Sequence, residues 1–423
     1  MKNELAIYGG KPSVSYTSPH FRWPELCKEG IEAVYQYLME GKPISIADGT
    51  GIIEELEDLI REYLNVKYVL TTNSGTNALH SAYIALDLPL GSEIICQNVT
   101  FHASITPAIH CGLSPVLVDV QPDTGNVDPK SLREAITKKT KAIVINHTWG
   151  HPAEMDEILQ ICIEKDIRLI EDCSHAFGST YRGEKVGTFG DIAIISMQAS
   201  KAISAGEGGI LVTNNQLYYE RACLTGHYRG RSEKEVTDPY LKNFTHTGFG
   251  LKYRLHPIAA VIAKHELLRI DEIIEKRNHL LGILSEGLRR AKGIRPPAIR
   301  SYVTMGSFYG YKPEFVPNEL FIDNRLMNCD EYIKILSAEG LEIHRPSVRP
   351  LSEFPIFQDK KAPLQFAKDT WKPRIHKPLE GSKEYFENRL SLPTFTNMNS
   401  LPLVKEYIKA FNKVSDYFMR NKT

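Results

Sequence analysis

Between residues 68 and 213, short apolar runs alternate with amphipathic segments, and no other feature of this 423-residue chain limits its fold as strongly. The runs at 68–70, 93–96, 115–120, 142–145, 167–170, 191–196 and 210–213 read as strands. The stretches at 76–86, after Phe101, and at 128–137 and 153–164 read as helices. Regular alternation of this kind predicts an α/β protein with a doubly wound, mostly parallel sheet flanked by helices. Two helices precede it, at 24–41 (proline at the start, glycine at the stop) and at 52–64.

Ligands of open α/β sheets gather at the carboxyl ends of the strands. Two ends stand out. The run Ile167-Arg168-Leu169-Ile170 leads into Glu171-Asp172-Cys173-Ser174-His175. The run Asp191-Ile192-Ala193-Ile194-Ile195-Ser196 leads into Met197-Gln198-Ala199-Ser200-Lys201 and then Gly206-Glu207-Gly208-Gly209. An acid and an amine are thereby brought to one edge. Pyridoxal 5'-phosphate (PLP) chemistry uses that pair, a lysine for the Schiff base and a carboxylate for the pyridine nitrogen.

Lys plus Arg equals Asp plus Glu at 51 each, so charge offers no reason to expect nucleic acid or an anionic membrane as partner. Apolar content is 42%, ordinary for a globular protein. The expectations are no signal peptide, no membrane-spanning helix and no membrane partner, since no apolar run approaches ~18 residues. The seven cysteines (Cys27, Cys96, Cys111, Cys162, Cys173, Cys223 and Cys329) have no CxxC spacing. No metal site is expected, and a reducing cytoplasm is the simplest setting.

The rhythm changes after His256. Helices are expected at 257–268 and, longer, at 271–290. The long one would bridge a large domain (residues 1–270, with an N-terminal arm) to a smaller α+β domain within 271–423. Strands are expected there at 307–313 and 341–344, loop at 345–378, and a closing helix at 403–419. Long loops often line a site.

Several positions have both an ordinary and a chemical reading. Thr72-Asn73-Ser74-Gly75-Thr76-Asn77 is either a capped strand-to-helix turn or an anion cradle at a helix N-terminus. Phe101 is a core residue or a stacking platform. Asp172 is a helix cap or the partner of a buried cation. His175 is a surface histidine or reaches the cofactor's phenolic oxygen. Ser196 is a satisfied core serine or a phosphate ligand, and Lys201 is a solvated lysine or the Schiff-base amine. The ordered set (Ser-Gly-Thr, aromatic, acid, serine, lysine), each at or past a strand end, favours the chemical readings jointly.

The chain resembles the DegT/DnrJ-type aminotransferases, PLP enzymes of the aspartate aminotransferase fold (PLP fold type I) that aminate keto-sugars and keto-cyclitols. The likeness runs from Ile7-Tyr8-Gly9-Gly10-Lys11-Pro12 through Ser74-Gly75-Thr76, Pro115 to Val120, and Gly150 to Asp156. It is most specific at Glu171-Asp172-Cys173-Ser174-His175-Ala176-Phe177-Gly178, at Gly187-Thr188-Phe189-Gly190-Asp191, and at Lys201 with Gly206-Glu207-Gly208-Gly209. It ends at Leu390-Ser391-Leu392-Pro393.

The resemblance implies that Lys201 forms the Schiff base and that Asp172 holds the pyridine nitrogen. It places His175 near the ring oxygen, Gly75, Thr76 and Ser196 on the phosphate, and Phe101 against the ring. It implies a homodimer in which the neighbouring subunit adds Lys252-Tyr253-Arg254-Leu255. The family's usual residue at position 252 is asparagine; a lysine there supplies a point charge for the phosphate instead. The presence of Lys201 favours transamination over the dehydration run by a histidine-bearing branch. The donor would be glutamate or glutamine and the acceptor a keto-sugar (nucleotide-linked) or keto-cyclitol. Ser307-Phe308-Tyr309-Gly310-Tyr311 and His344-Arg345-Pro346 are closer to the inosose-aminating branch. Arg229, Arg254 and Arg345 are candidate anion ligands. A regulatory PLP binder and a cofactor-free binding protein are the other readings.

Overall fold

The computed structural model describes residues 4–322, 324–359 and 362–420. The alternating runs form strands β1 (Tyr68–Thr72), β2 (Glu93–Gln97), β3 (Ser114–Val118), β4 (Thr140–Asn146), β5 (Arg168–Asp172), β6 (Ile192–Ser196) and β7 (Gly209–Thr213). An eighth, β8 (Arg374–Ile375), joins them in the order β1-β7-β6-β5-β4-β2-β3-β8. Only β7 runs against its neighbours, pairing antiparallel with both β1 and β6. The carboxyl ends of β1, β2, β4, β5 and β6 therefore share one edge.

Both faces of the sheet are covered, which is why its strands are apolar throughout. Alternate residues of one strand enter different cores. Ile95, Val116, Ile143, Ile145 and Leu169 face a layer built from the helices Met155–Lys165 and Ile270–Leu288. Ile94, Leu117, Val144 and Ile170 face helix α3 (Gly75–Leu86) and the helix Gln216–Gly226. A third cluster packs the helices Ile52–Leu64 and Pro257–Leu268 against Val69, Ile195 and Val212.

The helix Ile270–Leu288 leads away from the large sheet; its buried Leu280, Leu281, Leu284 and Leu288 share a core with the closing helix Leu401–Arg420. The short strands Ile294–Arg295 and Glu314–Phe315 pair antiparallel beside them. The N-terminal arm crosses back to this unit. Buried Glu339 accepts the N–H of Ala6 at 2.7 Å and of Ser13 at 3.0 Å, and pairs with Lys413 at 2.8 Å.

Four expectations need correction. The first helix is shorter than 24–41 and spans Lys28–Met39, capped by Cys27. After Phe101 the chain makes two 3-10 turns, His102–Ser104 and Thr106–Cys111, in place of an α-helix; Pro107 sits at the start of the second. Residues 307–313 and 341–344 form no strands. They contribute only isolated bridges, Tyr311 to Leu392 and His344 to Ser391, because Phe308 turns the first segment at φ 40°. Residues 345–378 are mostly irregular but send β8 back to pair parallel with β3, so the chain beyond residue 271 also extends the large sheet.

Candidate active site

Glu171 and Asp172 are adjacent on β5, so the pleat sends them opposite ways. Glu171 turns from the cavity. It accepts the backbone N–H of Gly187 at 2.8 Å, Phe189 at 2.8 Å and Gly190 at 2.7 Å. His147 Nδ1 accepts the Ala153 N–H at 3.0 Å, which leaves the proton on Nε2 to donate to Glu171 at 3.1 Å. Cys173 completes a buried trio whose ligand-type atoms lie within 4.8 Å of one another. The interlocking donors make it a hydrogen-bonded latch for the 187–190 turn.

Asp172 faces the other way, into a cavity of about 470 Å³ at the carboxyl edge of the sheet. Its carboxylate accepts the Ser104 hydroxyl at 2.6 Å and the Ser174 N–H at 3.1 Å. Those bonds fix its orientation, but no cation forms a salt bridge with it among the described residues; a buried carboxylate so placed is built to meet one.

Lys201 lies in the turn after β6, its N–H bonded to the Gln198 carbonyl at 2.8 Å. Its Nζ lies 3.7 Å from the centroid of the Tyr309 ring. Burial holds its ammonium below the ordinary lysine range, while Tyr309 and Asp172 pull the other way. The amine is therefore more easily deprotonated than an exposed lysine.

His175 is buried between flat rings. It stacks on Tyr309 with centroids 4.2 Å apart and on Trp149 at 5.1 Å. Burial, reinforced by the Lys201 and Lys312 charges, pushes its pKa well below the usual imidazole value, so the ring is neutral. Its Nδ1 is buried without a hydrogen-bond partner.

Helix α3 starts at this edge, with Ser74 as its cap accepting the Asn77 N–H at 3.1 Å. The first-turn N–H groups of Gly75 and Thr76 have no intrahelical acceptor and point outward. A Cβ at Gly75 would fall 2.8 Å from the Ser196 Cβ, so only glycine lets that strand and the helix start close into a cradle. Phe101 stands at the cavity wall, 51% exposed.

Gly75, Thr76, Phe101, Asp172, His175, Ser196 and Lys201 thus line one cavity. Lys252 does not. It is exposed, in the segment whose Tyr253 carbonyl accepts the Asn73 N–H at 2.7 Å. The candidate arginines lie elsewhere: Arg254 is over Tyr228, and Arg345 pairs with Asp330 at 2.8 Å. Sequence reading missed Ser104, Trp149 and the role of Tyr309. Ser104, three residues past Phe101, had a readable signal, since a buried carboxylate needs donors. Trp149 and Tyr309 had none, because tertiary packing alone brings them in. The start of the long loop supplies Ser347 and Val348.

Trp149 and Phe308 have φ of 54° and 40°, left-handed values that bulky side chains seldom adopt. Such strain persists where surroundings over-determine it, and here it flanks the cavity.

The orphaned His175 nitrogen, the Asp172 carboxylate with no salt-bridge partner among the described residues, the glycine cradle at a helix start and the buried amine all fit PLP. A mostly parallel sheet presenting that set across its carboxyl edge defines a PLP enzyme of the aspartate aminotransferase fold. The family model "DegT/DnrJ/EryC1/StrS aminotransferase family" matches residues 26–402, and the chain belongs to this family of PLP-dependent aminotransferases. It is similar to the GDP-perosamine synthase of Escherichia coli O157:H7, 35% identical over 57% of this chain; the matched stretch spans 65% of that protein's length. A Micromonospora echinospora protein, provisionally assigned as an L-glutamine:3-amino-2,3-dideoxy-scyllo-inosose aminotransferase, is 31% identical over 83% of this chain and 81% of its own. Among solved structures, an aminotransferase from Psychrobacter cryohalolentis superposes with a TM-score of 0.79 at 25% identity, covering 95% of this chain and all of that one.

Proposed function

We propose that this chain transfers an amino group from glutamate or glutamine to the carbonyl of a keto-sugar or keto-cyclitol. The observation that carries this reading is the placing of the Lys201 amine, the Asp172 carboxylate and the neutral His175 ring on one cavity. PLP, when bound, supplies the carbonyl that exchanges nitrogen and an electron sink. Lys201 would anchor it, and its amine, held below the ordinary lysine range by burial, would move the proton at the reacting carbon as base and then acid. Asp172, oriented by Ser104, would keep the ring nitrogen cationic. His175, as a neutral imidazole, would serve the ring oxygen, Phe101 would pack on the ring, and Gly75, Thr76 and Ser196 would hold the phosphate.

The acceptor reading is supported by the named relatives, one named for making GDP-perosamine and one provisionally assigned to a scyllo-inosose. The Ser307–Tyr311 segment leans it toward the cyclitol. We assign a homodimer as the working unit. Ile31, Tyr35, Leu38 and Met39 on α1 (Lys28–Met39) are each more than half exposed, an apolar face suited to a second copy. Lys252 would then serve the partner's phosphate. All seven cysteines are free thiols, in keeping with action in the cytoplasm. No helix among the described residues is long and apolar enough to cross a membrane.

The test is the visible spectrum of the purified chain with PLP, before and after L-glutamine or L-glutamate. Donor-dependent loss of the lysine-bound cofactor band, restored by a keto-cyclitol or a nucleotide-linked keto-sugar, is expected. A band that never forms, or one indifferent to every donor, overturns the reading.

A further inference from the structure

Arg277 is 3% exposed in the middle of the long helix Ile270–Leu288, and it forms no salt bridge with a carboxylate among the described residues. Burying a guanidinium this way is expensive. Its contacts are instead spread over three distant parts of the chain. Nε donates to Thr396 Oγ1 at 2.8 Å, and Nη1 donates to the Ser307 carbonyl. The guanidinium carbon lies over the Trp23 ring, 4.3 Å from its centre.

Two of those partners, Trp23 and Ser307, lead to the amine. The Trp23 indole Nε1–H donates to the backbone carbonyl of Lys201 at 3.0 Å. Ser307 precedes the strained Phe308, whose left-handed turn presents Tyr309 to the Lys201 ammonium at 3.7 Å. The Ser307 hydroxyl also reaches back to the His175 carbonyl at 3.4 Å. Tyr309 is held from its far end by Ser200, hydroxyl to hydroxyl at 3.1 Å. Lys201 is therefore gripped twice, at its carbonyl by the N-terminal arm and at its ammonium by a ring from the opposite unit. Both grips converge on one side chain.

We infer that Arg277 is a positioning residue for the Schiff-base amine: by stacking on Trp23 and fixing Ser307, it keeps Lys201 buried beneath Tyr309. The role suits arginine alone, because only its planar fork stacks on an indole while bonding sideways to a carbonyl and a hydroxyl. It also accounts for the cost. Without an anion, burial brings the guanidinium pKa down to about 9, a destabilising arrangement that plain packing does not require.

The inference rests on the assignment of Lys201 as the reactive amine, but its test does not need that activity. In the cofactor-free chain, the pH midpoint for acylation of Lys201 by an amine reagent is read by peptide mass spectrometry. The variants are Arg277→Met, which keeps volume without the fork, and Trp23→Phe, which keeps the ring and deletes the indole donor. With the grip broken, Lys201 gains solvent. Its midpoint then rises toward the ordinary lysine value by at least half a pH unit, about threefold in the protonation equilibrium. Arg277→Lys restores less than half of the shift. Thermal melting confirms that each variant is folded; should Arg277→Met fail to fold, Trp23→Phe carries the test. Midpoints equal to wild type in both folded variants overturn the inference. Absence of a donor-responsive band in PLP-loaded wild type, by contrast, overturns only the proposed activity.

Discussion

Ser104 donates its hydroxyl to the Asp172 carboxylate at 2.6 Å, across 68 positions of sequence. A hydrogen bond to a charged group contributes about 1.5–3 kcal/mol. Ser104→Ala therefore weakens PLP binding by roughly ten- to a hundredfold while leaving the melting temperature of the cofactor-free chain within a few degrees. Titration of that chain with PLP measures the change; unchanged affinity would mean that Asp172 does not face the cofactor.

Lys201→Ala removes both the anchor and the proton-moving group. Turnover falls by at least about 10³-fold, in line with general acid-base contributions. PLP still binds, held by the phosphate cradle, but without the visible band of the lysine-bound form. Steady-state rates and absorbance on one preparation decide it, and near-wild-type activity would refute the mechanism.

Gly75→Ala places a methyl 2.8 Å from the Ser196 Cβ. The strand and the helix start must part, and the cradle opens. PLP affinity drops more than tenfold, and inorganic phosphate ceases to compete with PLP in the variant. Persisting phosphate competition would place the phosphate elsewhere.

Lys312 lies over the Trp149 ring at 4.6 Å with Ser391 as its hydrogen-bond partner, and burial brings its pKa down to about 8. The residue as a whole is only partly buried, so the penalty is taken as about 1–3 kcal/mol. The unfolded chain binds more protons than the folded one between pH 8 and the ordinary lysine value, so stability rises with pH across that window. Lys312→Met is accordingly more stable than wild type below pH 8, and the advantage fades above it. Urea unfolding at pH 7 and pH 10 measures both points; an advantage that grows with pH would contradict the sign.

Much of this architecture is legible in the residue order. Both faces of the sheet are covered, so β1 to β7 appear as plain apolar runs, and the polar residues ending them mark the cavity edge. Asp172, His175, Ser196 and Lys201 were readable because each follows such a run. Tyr309 and Trp149 were not, since their places depend on left-handed backbone that only the assembled fold enforces. Two residues of β8 are too few to give a period, so a strand passed for loop. Trp23 lies just before the helix expected at 24–41, and nothing local announced that its indole reaches Lys201.

The neighbouring carboxylates of β5 carry a further implication. Glu171 secures the turn at 187–190 and Asp172 faces the reaction chamber, separated by one step of the pleat. Inserting or deleting a single residue in this strand would exchange their assignments, robbing the turn of its anchor and the chamber of its acid together. Lineages descending from this chain are thus free to vary the strand's hydrocarbon side chains but not its length, and alignment gaps should avoid residues 168–172.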